Sequence, residues 1–228
     1  AMQVPANFNG TVLIYSHGYR PNVDVIAGIP GYGGYKVTNT PETAPGQGAR
    51  DLTIVNNNAG NGDTGLAALL AARRVKKIIC SFPRQTDSYV FDGLYRSGEL
   101  ELELTPQGNL AERIRAAGAG VGAFFSPTGY GTLLAEGKET RLINGKQYVL
   151  EYPIHADFAL IKALKADRWG NLVYRKAARN FGPIMATAAA CTIVQVDQVV
   201  ELGELDPEVI VTPGIFVQRV VQVTGGQA

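Results

Sequence analysis

The chain is poor in cysteine, histidine and charged residues, and each shortage excludes a class of protein. Its 228 residues include two cysteines and two histidines, which are too few for a disulfide framework or a typical zinc site. Charged residues make up 18% of the chain, and its net charge is +1. Because so weak a net charge creates no long-range field, we expect neither nucleic acid nor a membrane surface as a partner.

The sequence also lacks long apolar runs, export signals and the common cofactor motifs. Its longest mostly apolar stretch, residues 184–194, is shorter than the roughly 20 residues that a membrane-spanning helix requires. The N-terminal region does not show the basic and then apolar segments of a signal peptide. Neither a Walker loop, nor a complete Gly-x-Gly-x-x-Gly, nor a paired-histidine metal motif occurs. These absences predict a cytoplasmic protein without a metal site.

Hydrophobic residues and glycine are abundant instead, at 46% and 27 residues respectively, which is typical of a well-buried protein with many tight turns. From residue 50 onward, short apolar runs alternate with segments of helical periodicity. Leu52–Val55 and Ile78–Cys80 are expected strands, and helices are expected after an Asp63 cap, over Tyr89–Arg96 and over Leu110–Ala117. This rhythm predicts an α/β fold with a mostly parallel sheet flanked by helices.

The second half of the chain contains an expected hairpin. Asn144-Gly145 separates two β-rich runs, residues 139–143 and 146–152, and this dipeptide favours a two-residue turn. We therefore expect an antiparallel hairpin insertion in the α/β pattern. The runs that continue the pattern beyond it are two strands and one helix, at residues 156–164, 193–200 and 183–190.

Glutamate and leucine alternate from Glu99 to Leu104, which places the leucines on one face of a strand and the carboxylates on the other. A catalytic carboxylate cluster is one interpretation. A solvated or subunit-contacting strand face is favoured, because a half-buried strand requires this alternation.

Polar loops follow three of the expected strands, at residues 56–60, 81–85 and 105–108. Parallel sheets of this kind bind ligands at the carboxyl ends of their strands. We therefore expect the three loops to converge on one site.

Several stretches of the chain, in unbroken order between residues 48 and 223, carry a family resemblance. They are Asn57-Asn58-Ala59-Gly60, Ser81-Phe82-Pro83-Arg84-Gln85, and residues 105–113, 127–132, 165–171, 178–181 and 213–216. Together they resemble the α subunit of family I CoA-transferases. Within that family, residues 81–95 are most similar to the branch that moves CoA from succinyl-CoA to 3-oxoadipate.

The resemblance implies ping-pong chemistry, in which a glutamate attacks an acyl-CoA thioester and an enzyme–CoA thioester then passes CoA to a second acid. The family's nucleophile lies in a Ser-Glu-Asn-Gly motif of the β subunit, and this sequence has no such tetrapeptide. The resemblance therefore implies a chain that is active only with a β subunit, in a heterodimer or heterotetramer. Its substrates are an acyl-CoA and a dicarboxylic keto acid, and it holds no permanent cofactor.

The resemblance also assigns candidate binding residues. It places Asn57, Asn58 and Gln107 at the intersubunit substrate site, whereas the residues alone favour turn-forming roles for the two asparagines. Because a second substrate carboxylate requires a cation, Arg84 is a candidate for binding it, the alternative being a plain surface arginine. Gly28 and Pro30 are candidates for the end of a loop that approaches CoA.

Residues 1–47 depart from the family pattern, so we divide the chain into this atypical segment, contributing to the same domain, and an α-subunit-like domain over residues 48–228. Tyr15 to Tyr19 replace the family's glycine-rich CoA loop, and residues 4–19 are similar to the start of α/β-hydrolases. Two alternatives follow: a non-catalytic binding or scaffold subunit with an impaired CoA loop, and a serine hydrolase or thioesterase. The second lacks its Gly-x-Ser-x-Gly elbow.

Overall fold

The structure, a computed structural model, describes residues 49–223 in full and the backbone of residues 11–14. Gly28, Pro30 and the segment Tyr15 to Tyr19 lie outside the described residues. In chain order the elements are β1 (Thr11–Ile14), β2 (Leu52–Val55), α1 (Leu66–Ala71), β3 (Val75–Cys80), α2 (Tyr89–Arg96), β4 (Glu101–Leu104), α3 (Gln107–Gly118), β5 (Phe124–Ser126), β6 (Thr140–Ile143), β7 (Lys146–Glu151), β8 (Ala156–Asp167), β9 (Leu172–Val173), α4 (Ala178–Ala188), β10 (Ala189–Val200) and β11 (Arg219–Gln222). Short 3₁₀ turns occupy Leu133–Ala135, Pro207–Val209 and Gly214–Phe216.

One large sheet organises the molecule, with strand order β11-β10-β8-β1-β2-β3-β4 and β9 paired to β8. Every pairing along the main path is parallel, whereas β9 runs antiparallel to β8. Parallel strands require long crossover connections, and helices supply several of them here. The predicted α/β class with a mostly parallel sheet is confirmed.

Both faces of the sheet are buried, and adjacent residues of one strand serve different cores. Val55 and Ile79 belong to the core that contains α3 and α4, whereas Ile54 and Ile78 belong to the core that contains α1 and α2. Successive strand residues point to opposite faces, so these two cores lie on the two sides of the sheet. A parallel sheet covered on both faces explains why β2 and β3 are continuously apolar near their ends.

The predicted hairpin is present as β6 and β7, which pair antiparallel from Ile143 and Lys146 outward. Asn144 and Gly145 have φ values of 49° and 77°, as a turn with two positive φ values requires. Strand β5 pairs with the other edge of β7, so the insertion is a separate three-stranded sheet. This third strand was not predicted.

Two predicted helix boundaries are wrong. The first helix ends at Ala71, and Asp63 does not cap it, because Gly65 occupies the N-cap position without a side-chain hydrogen bond. Arg73 then adopts φ 55°, and the chain turns into β3. The helix expected at residues 183–190 begins at Ala178 and ends at Ala188, because the next alanines already pair in β10.

The carboxylates of the Glu99 to Leu104 segment are bound to cations. Lys77 Nζ lies 2.8 Å from both Glu101 and Glu103, and Arg113 Nη1 lies 2.7 Å from Glu103. These cations hold the pKa of Glu103 below its usual range, against the opposing effect of burial. The face is thus an ion-pair face between β3, β4 and α3. The leucine face is less buried than expected, since Leu104 is 43% exposed.

Candidate functional site

The loops after β2, β3 and β4 meet at one edge of the sheet, because these three neighbouring strands are parallel. Backbone hydrogen bonds fasten the first loop to the second. Phe82 N donates to Asn57 O at 2.9 Å, and Ala59 N donates to Pro83 O at 3.2 Å. The third loop is joined to the end of β3, directly before the second loop, through Thr105 N, which donates to Cys80 O at 2.9 Å. The predicted convergence is therefore observed.

Asn57 lies at the centre of these loops. Its Oδ1 accepts hydrogen bonds from Ser81 Oγ at 3.0 Å and from Gln107 Nε2 at 3.2 Å. Gln107 is the first residue of α3 and is exposed, whereas Asn57 and Ser81 are partly buried. Two of the predicted site residues, separated by 50 positions in the chain, are thus in direct contact.

Asn58 is turned toward its own loop. Its Oδ1 accepts a hydrogen bond from Gly60 N at 2.9 Å, and its carbonyl accepts one from Asn56 Nδ2 at 3.1 Å. Gly60 has φ 88°, and a Cβ at that position would lie 2.7 Å from Ala67 N. Only glycine allows this close approach of loop and helix. In this structure Asn58 shapes the loop that carries Asn57.

Arg84 follows Pro83, whose carbonyl accepts the hydrogen bond from Ala59 N that joins the first two loops. Its side chain is 63% exposed, and Nη2 donates to Asp92 Oδ2 at 2.8 Å. Asp92 belongs to the first turn of α2. The guanidinium carries further N–H groups besides the one that binds Asp92, and these are available to an acceptor.

A small pocket adjoins the first polar loop. Asn56 and Asn57 line it together with Phe181 and Met185 from α4. Its other lining residues are Val55 from β2 and two residues of α3, Leu110 and Ile114. The pocket therefore brings two asparagines together with mostly apolar side chains, a combination that is common in small-molecule sites.

Cys80 immediately precedes Ser81 and is fully buried. Burial raises the pKa of the Cys80 thiol to about 12, so the sulfur remains protonated at neutral pH. It is therefore not a thiolate nucleophile of the site.

Asn56 and Ser81 also lie in these loops, and they were not singled out from the sequence. Their position directly after β2 and β3 was the available signal.

None of the helices in the described part of the chain is long and apolar enough to cross a membrane.

Comparison with known proteins finds a family match over most of the chain. Residues 31–223 match the family described as Coenzyme A transferase. The match extends into the segment that we treat as atypical, and the division at residue 47 stays a prediction.

Curated relatives are highly similar. The A subunit of 3-oxoadipate CoA-transferase from Pseudomonas putida is 78% identical over 181 residues, covering 79% of this chain and 78% of the relative. The protein of the same name from Acinetobacter baylyi is 73% identical over 176 residues, covering 77% of each chain. The A subunit of a probable succinyl-CoA:3-ketoacid coenzyme A transferase from Bacillus subtilis is 51% identical over 193 residues, covering 83% of this chain and 80% of the relative.

Solved structures share the fold at low sequence identity. The acyl-CoA transferase YdiF of Escherichia coli O157:H7 gives a TM-score of 0.68 at 23% identity, and the match covers 83% of this chain and 39% of that one. Glutaconate coenzyme A-transferase of Acidaminococcus fermentans gives 0.63 at 21% identity, covering 77% of this chain and 62% of that one. The chain thus spans about two fifths of the YdiF chain.

Proposed function

Because the chain belongs to the Coenzyme A transferase family, we propose that it is the A subunit of an enzyme that moves CoA from succinyl-CoA to 3-oxoadipate. The proposal rests on a difference in sequence identity between two groups of relatives. The two relatives named for 3-oxoadipate are 78% and 73% identical, whereas those named as A subunits of succinyl-CoA:3-ketoacid transferases are 47% to 53% identical.

The catalytic glutamate of this enzyme belongs to a B subunit. The sequence contains no Ser-Glu-Asn-Gly tetrapeptide, which supports a nucleophile supplied by a partner. In the proposed ping-pong reaction, the partner's glutamate attacks the thioester carbonyl and expels CoA thiolate, which gives an acyl–glutamyl anhydride. The thiolate then attacks the glutamyl carbonyl, so that succinate leaves and an enzyme–CoA thioester remains. The carboxylate of the second acid displaces CoA thiolate from this thioester to form a new anhydride, and the thiolate attacks its acyl carbonyl, which yields the new acyl-CoA and restores the glutamate. This chain supplies polar groups opposite the glutamate, and CoA is carried as a substrate and not as a resident cofactor.

Asn57 and Gln107 are proposed to face the reacting carbonyl. Attack on the thioester moves negative charge onto its oxygen, and a fixed amide N–H that meets this oxygen stabilises the transition state. Asn57 is partly buried and lines the small pocket, and this position supports the role, because a donor is more effective where water is limited. Asn58 contributes by holding the loop in shape.

Arg84 is proposed to bind the distal carboxylate of 3-oxoadipate or of the succinyl group. Its exposed guanidinium lies on a loop that is hydrogen-bonded to the Asn57 loop through Pro83 and Ala59. Asp92 holds one edge of the guanidinium, which limits the rotation of the side chain. A carboxylate that reaches the other edge gains a charge-assisted hydrogen bond.

The test is reconstitution. This chain is mixed with the B subunit of a 3-oxoadipate CoA-transferase, and CoA transfer from succinyl-CoA to 3-oxoadipate is measured, with each chain alone as a control. We expect turnover only in the mixture. A stable complex that does not transfer CoA would favour a scaffold role, and ester hydrolysis by this chain alone would favour a hydrolase.

A further inference from the structure

The hydroxyl of Ser81 makes a contact that the loop itself does not require. Ser81 Oγ lies 3.0 Å from Asn57 Oδ1 and 3.2 Å from Asn57 O, so its single proton is shared between two oxygens of the same residue. The two loops are already joined by Phe82 N to Asn57 O at 2.9 Å and by Ala59 N to Pro83 O at 3.2 Å. These backbone bonds hold the loops together without the hydroxyl.

The contact instead constrains the Asn57 carboxamide. A carboxamide carries one acceptor oxygen and one NH₂ group on opposite sides of the same carbon. Here the oxygen receives Ser81 Oγ and also Gln107 Nε2, which lies 3.2 Å away. Two donors around the oxygen fix the rotation of the amide, so its NH₂ group points away from both of them.

We propose that Ser81 is a positioning residue that, together with Gln107, holds the Asn57 carboxamide with its NH₂ group toward the substrate. This inference rests on the proposed function, because the thioester oxygen is the group that the NH₂ would meet. Without Ser81, the amide gains freedom to rotate and presents its oxygen to the developing negative charge part of the time. Ser81 thereby affects the chemical step through Asn57, without touching substrate itself.

Substitutions of Ser81 test the positioning role in the reconstituted complex. We expect Ser81→Ala to lower kcat about tenfold, less than the ~100-fold to 1,000-fold loss that follows complete removal of an oxyanion donor. The KM for the acyl-CoA should change little, since a transition-state contact is lost. Ser81→Thr keeps a hydroxyl and should restore kcat. Ser97→Ala is the matched control, because the Ser97 hydroxyl bonds to Leu94 O and Glu99, which lie outside the three polar loops.

Asn57→Asp tests which group faces the substrate. A carboxylate accepts the hydrogen bonds of Ser81 and Gln107 as the amide oxygen does, so assembly with the partner should persist. It has no NH₂ group, so kcat should fall by about 100-fold or more. An Asn57→Asp complex with near wild-type kcat would overturn the proposal, and so would a Ser81→Ala complex with unchanged kcat.

A cycle of thermal-unfolding measurements tests the amide orientation without any need for activity. Gln107→Glu replaces the donor that faces Asn57 Oδ1 by an oxygen, so it should lower Tm more in the wild-type background than in the Asn57→Ala background. The cycle cancels the effect of a carboxylate at the N-terminus of α3. If Gln107→Glu lowers Tm less in the wild-type background than in the Asn57→Ala background, the NH₂ group of Asn57 faces Gln107, and the proposal is overturned. If the wild-type complex fails to transfer CoA, the proposed function fails, yet this cycle still decides the orientation.

Discussion

At the scale of single residues, Arg84 carries an exposed charge. Its one salt bridge in the described part of the chain is with Asp92. Exposed ion pairs contribute little to stability. The salt bridge of Arg84 is therefore expected to add little to folding stability, and its proposed role is in substrate selection.

Arg84→Ala should raise the KM for 3-oxoadipate about tenfold, equivalent to about 1.4 kcal/mol, because a charge-assisted hydrogen bond to a carboxylate is lost. A monocarboxylic keto acid, assayed in parallel, should show no such change. Arg96→Ala is the control, since Arg96 is also exposed and lies at the far end of α2. Equal effects on the two acids would remove Arg84 from the substrate site.

Tyr174 links stability to alkaline pH. Its ring is buried, its hydroxyl lies 2.7 Å from Thr212 Oγ1, and burial raises its pKa to about 12. In the unfolded chain a tyrosine ionises near pH 10. The stability that depends on neutral Tyr174 is therefore fully present below about pH 10 and is lost as the pH rises from about 10 to 12.

Tyr174→Phe should reduce the free energy of unfolding by about 0.5–1.5 kcal/mol at neutral pH, because one hydrogen bond is removed. Between pH 10 and 12 its stability should fall less steeply than that of the wild type. Urea unfolding at a series of pH values measures both effects, and the exposed Tyr152→Phe serves as control. A parallel decline of variant and wild type would contradict this assignment.

At the scale of elements, the packing of α3 on α4 sets the position of Gln107, which begins α3. The two helices meet at Gly118, where an added Cβ would lie 2.5 Å from Thr187 Cβ. The other end of α3 is anchored by Asn109, whose Nδ2 donates to Glu151 Oε1 at 3.2 Å. Lys138 Nζ also lies 2.9 Å from that buried carboxylate. The helix that carries Gln107 is thus held by a second helix and by the three-stranded insertion.

Gly118→Ala should lower the free energy of unfolding by about 1–3 kcal/mol, because the new methyl group pushes α3 away from Thr187. Gly93→Ala in α2 is a matched control, since a Cβ at Gly93 meets nothing within 4 Å. That control should be neutral or stabilising by up to about 1 kcal/mol, because alanine favours helix. The comparison is made by urea unfolding, and equal destabilisation would refute the close-contact explanation.

At the scale of the whole molecule, strand β1 joins the two parts of the large sheet. Its backbone pairs with β8 on one side and with β2 on the other. The atypical N-terminal segment therefore supplies a central strand. Without it, the backbone groups of two neighbouring strands lose their hydrogen-bond partners inside the sheet.

Deletion of residues 1–48 should abolish cooperative unfolding, because the sheet loses the strand between β2 and β8. Removal of residues 224–228 is the control, since the last strand ends at Gln222. Circular dichroism during heating checks both variants. A cooperative transition in the longer deletion, near the wild-type Tm, would show that β1 is dispensable.

The order and type of most elements could be predicted from the sequence, because they depend on local patterns. Helix α2 matches its predicted bounds, and Asn144-Gly145 forms the predicted turn, since each signal lies within a few residues. The ordered motifs also identified the family, which the match over residues 31–223 confirms. The rule that ligand-binding loops follow parallel strands was enough to predict that three polar loops meet at one edge of the sheet.

Which side chains in those loops meet could not be predicted from the sequence, because it depends on tertiary packing. Ser81 and Gln107 converge on Asn57 from 24 and 50 residues away, and their hydrogen bonds depend on how neighbouring strands and α3 are packed. The contribution of α4 to the pocket lining and the pairing of β5 with β7 likewise depend on contacts between distant segments. Local periodicity reports which face of an element is buried, but packing selects the partner on that face. The side-chain amide of Asn57 is therefore oriented by the fold as a whole.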